Sequence, residues 1–529
     1  MEAHCISYKD TGYFSKTVID YLDDAKELRP YYSHRPTFDG FAEFLKTKKV
    51  TADRELLVNI LTEQYARING GELSKLPLQK LLDENTYTIT TGHQLNIFAG
   101  PLYFIYKIAT AIKLSRQLKE KFPDKNFVPV YWMASEDHDF AEINYTNIGG
   151  KKVHWWYEAS GATGRINPDT MRQALNQYKG VLGLENHASD LAAIVEKAYA
   201  GFDKLADATR YLVDALFGKH GLVIIDADDH RFKQQFAPII ERDIIEQNSF
   251  KHINATNEKL KQLDIDIQVN PREINFFYLL DGLRERLVFE GGLYKVLNTE
   301  IAFTEEQLKA EIATHPERFS PNVVMRPLYQ EYILPNIAYV GGGAEVVYWL
   351  ELKSNFDFYG VDFPILILRN SGLVVPKKTA SKIAAMSLSP ADLFKSADII
   401  KNNWVKKHSE HQLSLKEEWR ELQSVFEKIK LRAYKIDPTL APSAEATEAR
   451  LKHAIDNLEK KLVKAEKQNY QTRLEQVEQI KADIFPKNSL QERSENFGLF
   501  YVKWGDEFID ELIQHFEPLD FKFTVLTEK

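Results

Sequence analysis

Two short stretches concentrate side chains that do chemistry. Residues 91–101 read TGHQLNIFAGP and residues 135–139 read SEDHD. The first sets His93 and Gln94 in a Gly turn between a strand-like segment, YTITTGHQ, and a segment of helical pattern. A helix entrance offers free backbone N–H groups and the positive end of the peptide dipoles. A histidine there suits a phosphate or carboxylate, or shuttles a proton near neutral pH. No GK[ST] follows, so this is not a Walker loop, and no GxGxxG fingerprint is present. The plain alternative is a tight turn whose histidine caps its own backbone. In the second stretch Glu136, Asp137, His138 and Asp139 crowd the end of an apolar run, where like charges raise one another's proton affinity. Such a group supplies a general base, or a carboxylate and imidazole pocket for an amine or a metal. Its plain alternative is a solvated loop in which Asp139 caps the next helix.

Three further stretches hold candidate groups. In RPLYQEYILPNIAYVGGGAEVVYWLEL (326–352), Gly341, Gly342 and Gly343 let a backbone approach a ligand closely. Arg326 and Glu345 suit a carboxylate and an ammonium group respectively; the alternative is a flexible Gly turn with a surface ion pair. PREINFFYLLDGLRER (271–286) carries Arg272, Asn275 and Arg284 among aromatics and reads as a solvated helix face. In LQERSEN (490–496), Arg493 and Asn496 are candidates for a nucleotide or phosphate, against the alternative of an ordinary helix cap.

The elements that must position these groups follow from apolar patterning. PLYFIYKIATAIKLSRQLKEKF (101–122) opens on Pro101, which suits a first helical turn, and carries apolar residues at 105, 108, 109, 112 and 118. FVPVYWMAS (127–135) is continuously apolar, as in a strand buried on both faces of a parallel sheet. Residues 87–140 therefore read as a βαβ unit with both polar motifs at the carboxyl ends of its strands, where open α/β sheets bind ligands. GLVIIDADD (221–229) and FPILILRNSG (363–372) read as further strands. GVLGL and GGLYKVL read as loops and edge strands inserted into the main sheet, and residues 1–85 as mostly helical. From 390 to 483 glycine is absent and charge is dense. There Leu415, Trp419, Leu422, Phe426, Ile429, Ala433 and Ile436 keep heptad spacing, as do Leu451, Ile455, Leu458, Leu462 and Ala465. DPTLAPS (437–443) separates the two runs, so an antiparallel helical hairpin with a coiled-coil seam is expected. The expected division is a core over 1–389, the hairpin over 390–483 and a tail over 484–529 that returns to the core.

Whole-chain quantities narrow the function classes. The chain has 529 residues, of which 44% are hydrophobic and 27% charged, as in ordinary globular proteins. Its 68 Lys and Arg against 76 Asp and Glu give a net charge of −8, which argues against a nucleic-acid footprint. Cys5 is the single cysteine, so no intrachain disulfide forms and no multi-cysteine zinc site exists. The N-terminal residues lack a signal-peptide pattern, and no run of about 18 apolar residues is present. The expectation is a cytoplasmic protein without membrane or nucleic-acid partners.

Taken together, TGHQ…GPLYFIYK, PVYWMASEDHDFAEIN, SPNVVMRPLYQEYILPNIAYVGGGAEVVYWLEL and IFPKNSLQER resemble the bacillithiol-biosynthesis cysteine-adding enzyme family. The likeness runs in order from about residue 90 to 500 and includes the heptad segment. It implies an α/β fold: a Rossmann-like parallel-sheet core with inserted connecting segments, an α-helical antiparallel coiled-coil arm, and a homodimer. It also implies a ligase that joins the carboxyl group of cysteine to the free amine of glucosaminyl-malate, the last step of bacillithiol synthesis, with ATP or ADP as the associated nucleotide. The motif readings and the resemblance, which covers 91–94 and 137–139, together give His93, Asp137 and His138 as the expected catalytic residues. The expected substrate-binding residues are Thr91, Gly92, Gln94, Glu136, Asp139, Arg326, Gly341, Gly342, Gly343 and Glu345, with Arg493 and Asn496 for the nucleotide and no metal ligand. The rival readings are a nucleotidyltransferase-like enzyme that adenylates another small carboxylic acid, and a non-enzymatic coiled-coil scaffold that senses a nucleotide.

Overall fold

The computed structural model describes residues 1–68 and 75–529. The 1–85 stretch is helical over Phe38–Thr47 and Arg54–Ala66, with a strand at Glu2–Ser7; residues 69–74 of that expectation lie outside the described ones. Two compact units are present. The first holds Ala3–Leu373 and Ser489–Thr524, and the second Val374–Asn488 and Val525–Lys529. The expected boundary at 389 falls inside the second unit. Among the described residues no helix is long and apolar enough to cross a membrane.

Five parallel strands form the central sheet of the first unit. Their order is Ile365–Leu368, Asn336–Gly341, Thr86–His93, Asn126–Met133 and Val223–Asp226. The sequence builds outward from Thr86–His93 through two strands, then returns to the other flank of that same strand for the last two. This is the doubly wound order, and it reverses between Thr86–His93 and Asn336–Gly341. The strands form because they are rich in β-branched and aromatic residues. Thr86 to Gly92 are all buried, as a two-sided burial requires. The crossover helix Tyr103–Lys121 buries Ile105, Ile108, Ala109, Ile112 and Leu118, and places Lys119 and Lys121 at its negative end. Each such Ile or Leu side chain contributes about 1.5–3 kcal/mol relative to exposure.

The two strands that flank the reversal are tied by buried polar groups. Asn336 Oδ1 accepts from the hydroxyls of Thr88 (3.0 Å) and Thr90 (2.8 Å), while its Nδ2 donates to Glu331 (2.7 Å) and to the Ala338 carbonyl (3.0 Å). Thr91 Oγ1 donates to the Val340 carbonyl at 2.8 Å.

The insertions depart from the expected main-sheet edges. Residues 271–286 are not a helix face. Phe276–Leu280 and Leu283–Glu290 pair antiparallel about a Asp281-Gly282 turn, with Phe277 opposite Arg286 and Leu279 opposite Arg284. Asp-Gly between alternating residues is a strong hairpin signal, and Gly282 adopts the required positive φ of 73°. This hairpin lies in a separate five-stranded antiparallel sheet that also contains Leu293–Val296, the strand of GGLYKVL. GVLGL instead closes the helix Arg172–Leu182.

In the second unit, Lys416–Ile436 and Ala441–Glu466 form the expected hairpin. Lys430 meets Glu448 at 2.6 Å and the Lys452 ammonium lies 5.1 Å from the Trp419 ring, so the helices run antiparallel. A two-helix seam buries only one side. Trp419, Leu422, Phe426, Leu451 and Ile455 are half-buried, whereas Ile436 is 78% exposed. Near its base, Val405, Leu413, Val463 and Leu474 form a small core.

Asn336→Ala should cost about 2–4 kcal/mol of stability, because it orphans two buried hydroxyls and removes one of the two side-chain donors to the Glu331 carboxyl group, leaving only Gln330. The check is the denaturation midpoint of the intact protein; a midpoint equal to the wild type would contradict the stitching role.

Candidate active site

A cavity of about 950 Å³ opens at the carboxyl end of the central sheet, and all five strand ends reach it. His93 and Gln94 follow the first strand in sequence, Ser135 to His138 the second, Ala227 the third, Gly342 to Glu345 the fourth and Arg369 the fifth. The hairpin adds Phe277, Arg284 and Arg286.

His93 does not stand directly before a helix. The helix begins only at Tyr103, ten residues on, and Pro101 precedes it. Between them Phe98, Ala99 and Gly100 take positive φ values of 54°, 59° and 51°. Three successive left-handed residues end any helix start at Gln94. The imidazole nevertheless lies against the helix's first turn: it stacks on Phe104 at 5.1 Å and meets Tyr103 edge-on at 5.4 Å. Its Nε2 is buried without a hydrogen-bond partner among the described residues.

The acidic motif splits into separate roles. Gln94 Nε2 donates to Asp137 (2.7 Å) and to Glu142 (2.6 Å), so the first motif physically holds the second. Glu136 is paired with the fully buried ammonium of Lys233 at 2.7 Å. His138 Nδ1 lies 2.6 Å from Arg284 Nη1. A guanidinium only donates, so a neutral His138 must accept at Nδ1 and carry its proton on Nε2. His138 thus offers a donor rather than a base.

On the other flank, Lys107 Nζ reaches across the strand reversal. It donates to the Gly92 carbonyl at 2.9 Å and meets Glu345 Oε2 at 2.5 Å. Glu345 also accepts from the Tyr339 hydroxyl (2.7 Å) and the Gly342 N–H (2.8 Å). Its lone pairs are engaged, so it is not the open ammonium site expected of it. Arg326 donates to Gln330 at 2.9 Å and lies 5.8 Å from the Trp132 and Tyr339 rings. Arg369 is 3% exposed and pairs with the buried Glu492 at 2.6 Å.

With this geometry in view, comparison with known proteins is decisive. The model for "Bacillithiol biosynthesis BshC, N-terminal Rossmann-like domain" matches residues 1–370, and that for the "C-terminal coiled-coil domain" matches 372–528. The chain belongs to the BshC family of bacillithiol biosynthesis. A protein of Flavobacterium johnsoniae named "Putative cysteine ligase BshC" is 44% identical over 530 residues, covering 100% of both chains. Similarly named proteins of Christiangramia forsetii (41% identical, 100% of this chain and 99% of that one) and Bacillus mycoides (27%, 96% and 97%) also match.

Of the expected site residues of this BshC chain, Gly92, His93, Gln94, Glu136, Asp137, His138, Arg326, Gly342, Gly343, Glu345 and Arg493 line the one cavity. Four do not. Thr91 is consumed by its bond to Val340, and Gly341 by accepting from the Arg369 N–H at 2.8 Å. Asp139 caps the helix Phe140–Ile143, accepting from the Glu142 N–H at 3.3 Å. Asn496 is buried away from the cavity. Its Nδ2 donates to the carbonyls of Phe98 and Gly100, both at 2.8 Å, and its Oδ1 accepts from Tyr178 and Gly498 N–H, also at 2.8 Å. The amide nitrogen braces the left-handed turn and the amide oxygen is taken by Tyr178 and Gly498, so neither polar atom is left for a nucleotide. Lys107 and Arg369 are site residues that sequence reasoning passed over. Each is a lone charge in an apolar run, Lys107 within one and Arg369 at the end of one, a weaker form of the signal that marked SEDHD.

The electrostatics favour anions. Seven Lys and Arg side chains line the cavity against four carboxylates, in a chain whose net charge is −8. Burial, reinforced by the nearby Lys107 ammonium, pushes the His93 imidazole down to about 3. Burial also lowers Lys107, against the pull of Glu345. Burial alone would raise Glu345, but Lys107 and the bonds from Gly342 and Tyr339 bring it below the usual carboxylate range.

His93 is therefore neutral throughout the working pH range. The unfolded chain binds a proton near pH 6.5 that the folded chain refuses, so stability falls as pH drops below 6.5. In protein labelled with ¹⁵N-histidine, the His93 ring should show a neutral tautomer from pH 8 down to pH 5; a protonation midpoint above 6 would contradict the account.

Proposed function

We propose that the chain is a ligase that joins the carboxyl group of cysteine to the free amine of glucosaminyl-malate, forming the amide of bacillithiol. The observation that carries this reading is the division of the cavity. Donors crowd the strand-reversal side, at His93, Lys107, Arg326 and Arg369, while Asp137 and Glu142 face it from the second strand. Amide formation from a carboxylate needs both. One carboxylate oxygen must leave, which requires activation and donors for the charge that departs. The incoming ammonium must lose a proton before its nitrogen attacks the carbonyl carbon. The name borne by the relatives, cysteine ligase, supports the choice of amino acid.

ATP is the proposed activating substrate. Its phosphates fit the donors on the reversal side, with Arg493 at the exposed rim, and the chemistry it supplies is conversion of a carboxylate oxygen into a phosphoryl or adenylyl leaving group. Neutral His93, with its unpartnered Nε2, donates a hydrogen bond to the departing oxygen. Asp137 takes the proton from the amine; His138, which carries its proton toward the cavity, orients a carbonyl or hydroxyl of the acceptor. The reading includes a cytoplasmic setting and a homodimer, the latter supported by the exposed apolar residues Ile429, Ile436 and Leu458 of the helical hairpin.

Purified protein incubated with cysteine, glucosaminyl-malate and ATP should form bacillithiol, read by mass spectrometry of the labelled thiol. Absence of product would sink the proposal. His93→Ala should abolish product without unfolding the protein. Asp137→Asn should lower kcat by about 10²–10⁴-fold, and His138→Gln by much less. If His138→Gln were the more damaging change, the assignment of the base would be wrong.

A further inference from the structure

The three glycines at 341–343 do not share a reason. A Cβ on Gly341 would meet Glu345 Cβ at 3.0 Å and Tyr339 Cε1 at 3.1 Å, and one on Gly343 would meet Val18 Cγ2 at 3.3 Å. Packing accounts for both. Gly342 is different: its φ of −71° and ψ of 171° suit any residue. A Cβ there would meet only Glu345 Oε2 at 3.4 Å and Arg369 Nε at 3.9 Å, ordinary contact distances. Gly342 is also the N-cap of the 17-residue helix Gly343–Tyr359, a position where Asn, Asp and Ser outrank glycine. Nothing within the protein requires the side chain to be absent.

The space so left open is walled by unused donors. Arg369 is held on two sides. Its Nη2 donates to Glu492 at 2.6 Å, and its Nη1 to Ser371 Oγ at 3.0 Å and to the Asn370 carbonyl at 3.1 Å. Among the described residues its Nε, buried in a side chain 3% exposed, has no hydrogen-bond partner, and it faces Gly342. The helix begins at the same point, and its first intrahelical bond runs from the Val346 N–H to the Gly342 carbonyl. The N–H groups of Gly343 and Ala344, which line the cavity, lie ahead of that bond at the positive end of the helix.

We propose that this corner of the cavity is an oxyanion pocket, in which Arg369 Nε–H and the N–H groups of Gly343 and Ala344 hold a carboxylate or phosphoryl oxygen of a substrate in the space a side chain at 342 would fill. Arg369 is thereby a binding residue, fixed in orientation by Glu492. The inference rests on the reading of this cavity as the substrate site, and it holds whichever acid is activated there.

Gly342→Ala tests it without touching the Arg369–Glu492 pair. ATP, L-cysteine and L-malate are each titrated calorimetrically into wild type and variant. One of the three should bind about tenfold or more weakly to the variant, and the others within about threefold of wild type, at an unchanged unfolding midpoint. The ligand that weakens names the source of the oxyanion: a nucleotide phosphate, the amino-acid carboxylate or the acceptor's malate. The double variant Arg369→Gln with Glu492→Gln, which leaves no lone buried charge, should weaken the same ligand. Three unchanged affinities, three equally weakened ones, or no binding by the wild type would each overturn the pocket. Selective weakening in a protein that forms no bacillithiol would keep the pocket and remove the ligase reading; bacillithiol formation with unchanged affinities would do the reverse.

Discussion

Two neighbouring parallel strands whose connections leave in opposite directions cannot both be roofed at their carboxyl ends. That constraint shapes the first unit of this BshC chain. Thr86–His93 and Asn336–Gly341 are the strands at the reversal, and Gly92, His93 and Gly342 at their ends line the cavity. Inside the sheet the Asn336 carboxamide and the Thr88, Thr90 and Thr91 hydroxyls fix the pair. At the mouth, Lys107 spans the gap from the Gly92 carbonyl to Glu345. The crevice is thus a consequence of topology, and the buried polar groups hold it open at a defined width.

The same constraint separates charge. Buried cations collect on the reversal side because carbonyls and Glu345 there can hold them, and burial, reinforced by Lys107, keeps His93 neutral. The acids that follow the second strand are held differently: Lys233 pairs with Glu136, while Gln94, a neutral donor, holds Asp137 and Glu142. A neutral donor beside an ionised carboxylate is the arrangement needed when one group must stabilise a leaving oxygen and another must accept a proton.

Much of this was legible in the sequence. Apolar runs found the strands at 126–133, 223–226 and 365–368, the β-branched YTITTGHQ found that at 86–93, and the polar residues at their ends found most of the cavity. Heptad spacing found the helical hairpin. What escaped was set by distant contacts. The delay of the helix to Tyr103 depends on Asn496, 396 residues beyond Gly100 in sequence, which holds the left-handed turn. The same bonds explain why Asn496 is structural although it sits in a polar stretch. Glu345 looked like a free carboxylate because its partner, Lys107, lies within an apolar helix. The hairpin at 276–290 carries the Asp-Gly turn signal, yet Arg272, Asn275 and Arg284 set among aromatics read equally as a helical face, and only the pairing of the two strands decides between them.

The central claim is that this cavity activates a carboxyl group and transfers it to an amine. Cysteine labelled with ¹⁸O in both carboxylate oxygens tests it most directly. For each bacillithiol formed, the account predicts one ¹⁸O in the released phosphate or AMP and one retained in the amide carbonyl. Product that forms with no label in either phosphorus-containing species would contradict it.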